Sequence, residues 1–248
     1  SNQGSARAAT FSGSAGSESF TWGTTLSGWT TQRLNGVENA SMINDLGGGK
    51  FFIIWSGTSN YPTSRVLSLS GTTVTALDSD HVVDSNAVSS SAVSACVNST
   101  DGTTALVATV RNSNAYPYIS DMAISGTGVI STTSTAVVDS SQGYDGGFVS
   151  VQDIDQSRFL YGVEDASDNY VYFFVGTLSG GSFSFGSRVA SQSSSTVTGY
   201  FAASNNTAIP DTFITTWNTT GGSPQGIVGT ITSSSISFNA TTVLDSTY

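Results

Sequence analysis

Charge, sulfur and helical patterning are all scarce in this chain of 248 residues. Charged residues make up only 10% of it, Lys50 is the sole lysine, and the formal net charge is −10. Phosphate recognition needs clustered Lys and Arg, so this balance disfavours anionic membrane surfaces and no nucleic-acid partner is expected. Cys96 is the single cysteine, which excludes an intrachain disulfide and leaves the redox compartment unread. Between Ala95 and Val97 it reads as a small buried apolar residue rather than a reactive thiol. No apolar run approaches the roughly 18 residues of a membrane span, so neither membrane insertion nor a signal sequence is expected. A start at Ser1 instead of Met fits a processed secreted protein and a shortened chain equally. No window places apolar residues at helical spacing opposite a charged face, so almost no helix is expected.

Catalytic residue types are equally thin. His81 is the only histidine, in Asp78-Ser79-Asp80-His81, and reads as a solvated surface residue on a loop or outer strand. Without a second His or a Cys cluster there is no basis for a transition-metal site, and no Gly-x-Ser-x-Gly elbow accompanies the lone His. Asp78, Asp80 and Asp84, or Glu164, Asp165 and Asp168, offer oxygen ligands for calcium, yet neither set follows EF-hand spacing.

What the chain does have is a period. Phe51-Phe52-Ile53-Ile54-Trp55 is echoed by the apolar phrases at 106–110, 159–163 and 213–217, about 53 to 55 residues apart. A turn phrase accompanies each: Leu69-Ser70-Gly71, Ile124-Ser125-Gly126, Leu178-Ser179-Gly180 and Ile231-Thr232-Ser233, with a further copy in Phe11-Ser12-Gly13. The leading residues of these turns stand roughly 58, 55, 54 and 53 residues apart, as one unit with variable loops requires. A closing phrase recurs as Val83-Asp84-Ser85, Val138-Asp139-Ser140 and Leu244-Asp245-Ser246.

Alternating stretches bounded by Gly, Ser and Asn are strand signals, and each unit holds four of them. In the second copy they fall at 92–97, 104–110, 118–125 and 128–138. Four antiparallel strands in about 50 residues match one blade of a β-propeller, and stacked blades bury both sheet faces, which explains an apolar run such as 51–55. The expected fold is therefore all-β, a propeller-like repeat in a single domain with full blades at 36–86, 87–141, 142–195 and 196–248. Residues 5–30 match only the last two strands of a unit. A closed ring then needs either a fifth blade completed by another chain or by residues outside these 248, or a four-blade ring with the hairpin placed elsewhere. Unpaired strand edges template association, so self-association through this half blade is expected, with Phe11, Phe20, Trp22 and Trp29 as candidate contact residues.

The loops after the second strands are the best candidates for a ligand surface. Asn60-Tyr61-Pro62, Ala115-Tyr116-Pro117, Asn169-Tyr170 and Ser223-Pro224 occupy matching positions and would emerge on one rim of a ring. Tyr61, Tyr116 and Tyr170 then form a candidate carbohydrate-binding surface, against the plainer reading that Tyr-Pro stiffens each hairpin and packs on the next blade. Asn39, Asn98, Asn205, Asn218 and Asn239 fit the N-glycosylation pattern, although so Ser- and Thr-rich a chain produces such matches by chance. Propeller glycosidases use paired carboxylates, but Asp45, Asp153, Glu164 and Asp211 fall at unequal positions in their units. Sialidase-type turns are absent, and Arg65, Arg111, Arg158 and Arg188 do not share a strand position. No enzyme, no cofactor and no metal are expected.

The phrases Val175-Gly176-Thr177-Leu178-Ser179-Gly180 with Phe183-Ser184-Phe185-Gly186, and Val228-Gly229-Thr230-Ile231 with Ile236-Ser237-Phe238, resemble blade repeats of β-propeller-like proteins from aquatic phage and environmental sequences. The similarity covers the last two units well and the first two loosely. It implies a scaffold and an extracellular or virion-surface setting, with no catalytic residue to carry over. Two functions follow: a structural or adhesion protein assembling through its incomplete blade, as a fibre or filament subunit, or a monomeric lectin-like propeller binding surface glycans.

Overall fold

The computed structural model describes residues 5–12, 19–27, 42–98, 101–144, 148–165, 167–191, 202–205, 211–218, 223–240 and 242–244. Among them the chain forms antiparallel strands and one 3-10 turn, Thr58–Asn60, with no α-helix. Four sheets follow one another. Sheet I orders Met42–Gly47, Lys50–Ser56, Pro62–Ser70 and Thr73–Ala76; sheet II orders Val88–Val97, Thr104–Arg111, Pro117–Ile124 and Ile130–Val137. Sheet III orders Val149–Asp153, Arg158–Asp165, Tyr170–Ser179 and Ser182–Phe185; sheet IV orders Ala202–Asn205, Thr212–Asn218, Pro224–Thr232 and Ser235–Phe238. In sheets I, III and IV a fifth short strand returns to pair with the third: His81–Val82, Val189–Ala190 and Thr242–Val243. This is the expected all-β propeller architecture of four-stranded blades.

The N-terminal segment reproduces the outer part of such a sheet. Ala9–Ser12 pairs with Ser19–Trp22, as a third strand pairs with a fourth, and Ser5–Ala6 pairs with Leu26–Ser27, as a third strand pairs with the fifth.

The ladders correct the register read from apolar strings. Leu69, Ile124, Leu178 and Ile231 donate their amides to Gly49, Thr103, Ser157 and Asp211, so the second strands start at Lys50, Thr104, Arg158 and Thr212, each 54 residues after the last. Phe51 is thus equivalent to Ala105, not to Leu106. A slip of one residue moves a side chain to the other sheet face, so the difference decides which core each residue enters.

The sheets stack in chain order, with each first strand beside the next: Val88–Val97 touches Met42–Gly47 on one side and Val149–Asp153 on the other, which in turn touches Ala202–Asn205. Phe52, Ile54 and Val66 of sheet I close on Val93, Ala105 and Met122 of sheet II. Leu106, Ala108 and Ile119 of sheet II meet Phe159, Tyr161 and Phe174 of sheet III, and Leu160, Phe173 and Val175 of sheet III meet Phe213, Trp217 and Ile231 of sheet IV. Strands covered on both faces are apolar throughout, whereas Ile130–Val137 at an outer edge alternates and turns Thr and Ser to water.

One seam contact recurs. A Cβ on Gly23, after the hairpin's last long strand, would lie 2.0 Å from the Thr72 carbonyl of sheet I; a Cβ on Gly186 of sheet III would lie 2.0 Å from the Ser234 carbonyl of sheet IV. Thr72 and Ser234 hold the same place in their third-to-fourth turns; between sheets I and II, Leu77, at the place of Gly23 and Gly186, instead lays its side chain on Gly128 of the next turn. The hairpin therefore docks on sheet I as one blade docks on the next, and its Leu26 joins the core of Ile53, Trp55 and Leu67.

Candidate functional site

A four-stranded meander has two rims. The first-to-second and third-to-fourth turns gather at one, and the second-to-third turns and the links between sheets gather at the other.

On the linker rim the chain enters each third strand through the same turn. Asn60, Ala115 and Asn169 all take a left-handed φ, of 61°, 56° and 56°, immediately before Tyr61, Tyr116 and Tyr170. Non-glycine residues adopt this conformation at a cost, so its recurrence fixes the three tyrosines at equivalent places in three successive sheets. The Tyr116 amide donates to Asn114 Oδ1 at 3.1 Å and the Tyr170 amide to Asp168 Oδ1 at 2.9 Å, each a side-chain turn that pins the loop. Tyr61 is 37% exposed, while Tyr116 and Tyr170 are half-buried.

The acidic residues of this rim tie sheets together. Asp84 Oδ1 accepts from the Asn86 amide and its Oδ2 accepts from Arg111 Nε of sheet II at 2.7 Å. Asp139 repeats the pattern: Oδ1 accepts from the Ser141 amide, and Oδ2 accepts from Tyr144 Oη at 2.6 Å. Burial works against the Asp139 charge but is outweighed by the Ser141 and Tyr144 hydrogen bonds, so its carboxyl sits below the usual range. Asp165, fully buried, is met by Gln142 and by Arg188 at 3.3 Å, and Asp168 accepts from Tyr172 Oη at 2.7 Å. Burial and then that hydrogen bond push Tyr172 up to about 12. Asp80 pairs with Arg65 at 3.1 Å. Of the carboxylates weighed as calcium ligands, Asp80, Asp84, Asp165 and Asp168 are thus committed to cations, amides and hydroxyls, and among the described residues no three His, Cys, Asp or Glu side chains gather around a point.

His81 departs from the solvated residue expected. It is half-buried at the seam of sheets I and II, with Nε2 3.1 Å from Thr132 Oγ1, and burial lowers its pKa against the pull of Asp78.

The opposite rim carries a cavity of about 390 Å³ between sheets I and II, lined by Leu46, Lys50, Asp101, Thr103, Ile124 and Ser125 among others. Lys50 crosses the seam to donate to the Gly126 carbonyl at 2.5 Å, and Asp101 accepts from the Thr103 amide and hydroxyl. Arg158, at the position of Lys50 in sheet III, binds Asp155 at 2.7 Å and reaches Asp211 of sheet IV at 2.6 Å. Burial disfavours the Asp155 charge, but Arg158 and Ser157 overcome it and hold the group at about 2. Neighbouring Asp153 is shifted upward, by burial first and by Asp155.

The remaining sequence candidates scatter. Phe11 stands opposite Phe20 in the N-terminal ladder; Phe20 and Trp22 are 62% and 57% exposed, stacked at 6.2 Å, with Arg7 over the Trp22 ring. Trp29 and Asn39 lie outside the described residues. Asn205 ends the first strand of sheet IV, and Asn218 and Asn239 are exposed. Asn98 is buried, which corrects its reading as a surface acceptor for sugar. Sequence reasoning missed the cavity: its residues come from turns of two units, and only Lys50, as the lone lysine, stood out.

No protein-family model matches the chain, and no curated protein matches it in sequence. Solved structures do. AofleA from Arthrobotrys oligospora, as a triple arginine-to-alanine variant, is 8% identical over 82% of this chain and 56% of that one, with a TM-score of 0.54. An Aleuria aurantia lectin variant in complex with Fucα1-6GlcNAc is 11% identical over 97% of this chain and 73% of that one, with a TM-score of 0.56. At these identities the likeness establishes the propeller-like fold, shared with lectins, and nothing finer. The chain spans about 56% of the length of AofleA.

The exclusion of an enzyme does not stand. A periplasmic gluconolactonase from Pseudomonas aeruginosa also matches, at 10% identity over 99% of this chain and 84% of that one. With a TM-score of 0.46 it assigns no activity to this chain. No helix among the described residues is long and apolar enough to cross a membrane.

Proposed function

We propose that this chain is a carbohydrate-binding propeller acting outside the cell or on a virion surface, with Tyr61, Tyr116 and Tyr170 as its glycan contacts. The observation that carries the reading is the recurring left-handed residue before each tyrosine, which repeats one aromatic element around the linker rim. Aromatic faces pack on the apolar faces of sugar rings, and weak sites repeated on a rigid frame gain avidity when they engage together. Lectin propellers among the structural neighbours support the same class of ligand. A glycan array tests it: wild type binds a defined set of glycans, and Tyr61→Ala, Tyr116→Ala and Tyr170→Ala together abolish the signal. Retention of binding by that triple variant, with loss in Lys50→Ala, would move the site to the cavity on the other rim; silence of the wild type across the array would remove the reading.

A second reading, a structural or adhesion subunit resembling phage and environmental propeller proteins, is favoured by the unequal ends of the stack. Phe20 and Trp22 lie open at one end, and Ile214 and Val228 at the other.

A further inference from the structure

Each sheet has a forward face, toward the next sheet, and a backward face, toward the one before. On the forward face the equivalent second-strand positions are Phe52, Leu106, Leu160 and Ile214, with exposures of 0%, 1%, 2% and 46%. The equivalent third-strand positions are Val66, Asp121, Val175 and Val228, at 0%, 8%, 2% and 40%. The backbone is the same in all four; among the described residues only sheet IV lacks a sheet in front of it. Beside these residues Leu244, 53% exposed, lies 3.3 Å from where a Gly226 Cβ would stand. Gly226 holds the place of Phe173, so Leu244 occupies the station from which the Phe173 ring meets Phe238 at 5.8 Å across the seam of sheets III and IV.

At the other end of the stack, the N-terminal hairpin has its forward side on sheet I and its backward side open. Phe20 and Trp22 are equivalent to Ile236 and Phe238 of sheet IV, which pack in the core between sheets III and IV. Trp22 thus presents to solvent the ring position that, in sheet IV, is covered by a forward face.

We propose that the forward face of sheet IV in one copy docks on the backward face of the N-terminal hairpin in a second copy, with Leu244 meeting Trp22 as Phe173 meets Phe238. The occupant is argued from continuity: forward face on backward side is the contact this chain makes between every pair of successive sheets, and sheet I accepts the hairpin with the same Gly23 to Thr72 approach that joins Gly186 to Ser234. Apolar Ile214, Val228 and Leu244 alternate with Thr212, Thr216 and Thr230, a mixed surface suited to an association that a protein can also leave. The contact joins two different surfaces, so it propagates head to tail and yields a ring or a filament according to the angle. This interface rests on the assembly reading above and gives it an address.

The test uses the whole chain. Sedimentation velocity and light scattering on wild type should show a mass that rises with concentration in whole multiples of 25.5 kDa. Val228→Glu blocks the forward face and Trp22→Glu the backward side; both replace exposed residues, and each variant alone should be monomeric, with at least tenfold weaker association. Mixed in equal amounts, the two variants retain one good surface of each kind and should form a 1:1 dimer and nothing larger. A wild type that stays monomeric at every concentration overturns the interface and the assembly reading together. Oligomers that survive both substitutions overturn the interface alone.

Discussion

Sheets III and IV have the same four-strand meander, the same short fifth strand and second strands that start 54 residues apart, yet their forward faces differ completely. Leu160 and Val175 are sealed by sheet IV, whereas Ile214 and Val228 face water. The sequence of the second strand already leans the same way: Arg158–Asp165 is apolar through its middle, while Thr212–Asn218 alternates Phe213, Thr215 and Trp217 inward with Thr212, Thr216 and Asn218 outward. A propeller-like blade gains most of its stability from its neighbours, so a blade's position in the stack matters as much as its own residues.

The sharpest way to break this comparison is a matched pair of truncations. Leu160→Ala should cost about 2–5 kcal/mol, because it empties a sealed site, and Ile214→Ala at the equivalent position less than about 1 kcal/mol. Urea unfolding of dilute protein measures both, and equal losses would mean that sheet IV is covered in solution. The seam itself offers a second pair. Gly186→Ala drives a Cβ against the Ser234 carbonyl and should cost about 1–3 kcal/mol. Gly180→Ala, at φ +56 with nothing within 4 Å, meets only the backbone penalty of about 1 kcal/mol. A Gly186→Ala variant as stable as Gly180→Ala would show the seam to be loose. The smallest effect concerns acid. Asp155 is held at about 2 against an ordinary 3.8, so the unfolded chain takes up the proton first. The contribution is complete above 3.8 and is lost as pH falls through about 2. Asp155→Asn should flatten the stability profile in that window alone, as acid titration of the thermal midpoint would report; an unchanged slope would show that the Asp155 contacts with Arg158 and Ser157 add nothing to stability.

Much of this fold was legible because tandem units repeat their turns as well as their strands. Gly71 and Gly180 mark third-to-fourth turns with φ of +58 and +56, and Ser233 takes +57 where the glycine is replaced, so the turn phrase located the sheets more reliably than the apolar strings did. Those strings misplaced sheet II by one residue, since Leu106 resembles Phe51 in character while Ala105 holds its place in the ladder. Apolarity says that a strand is buried on both faces and is silent on which face a residue takes. The site was harder to read. The tyrosine loops could be aligned from Tyr-Pro phrases, but the left-handed turn beneath them is carried by Asn60, Ala115 and Asn169, and alanine gives no warning of it. The cavity at Lys50 is assembled from three turns in two units, a juxtaposition that exists only once the sheets are stacked.

Cys96 lies between sheets II and III among Leu106, Val151 and Phe159, and burial pushes its thiol far above the range in which a thiolate forms near neutrality. With no other sulfhydryl in the chain, the folded protein presents no sulfur nucleophile to oxidants, glutathione or a second copy. A disulfide to a second copy or to glutathione is therefore closed to the folded chain whatever the redox state of its surroundings.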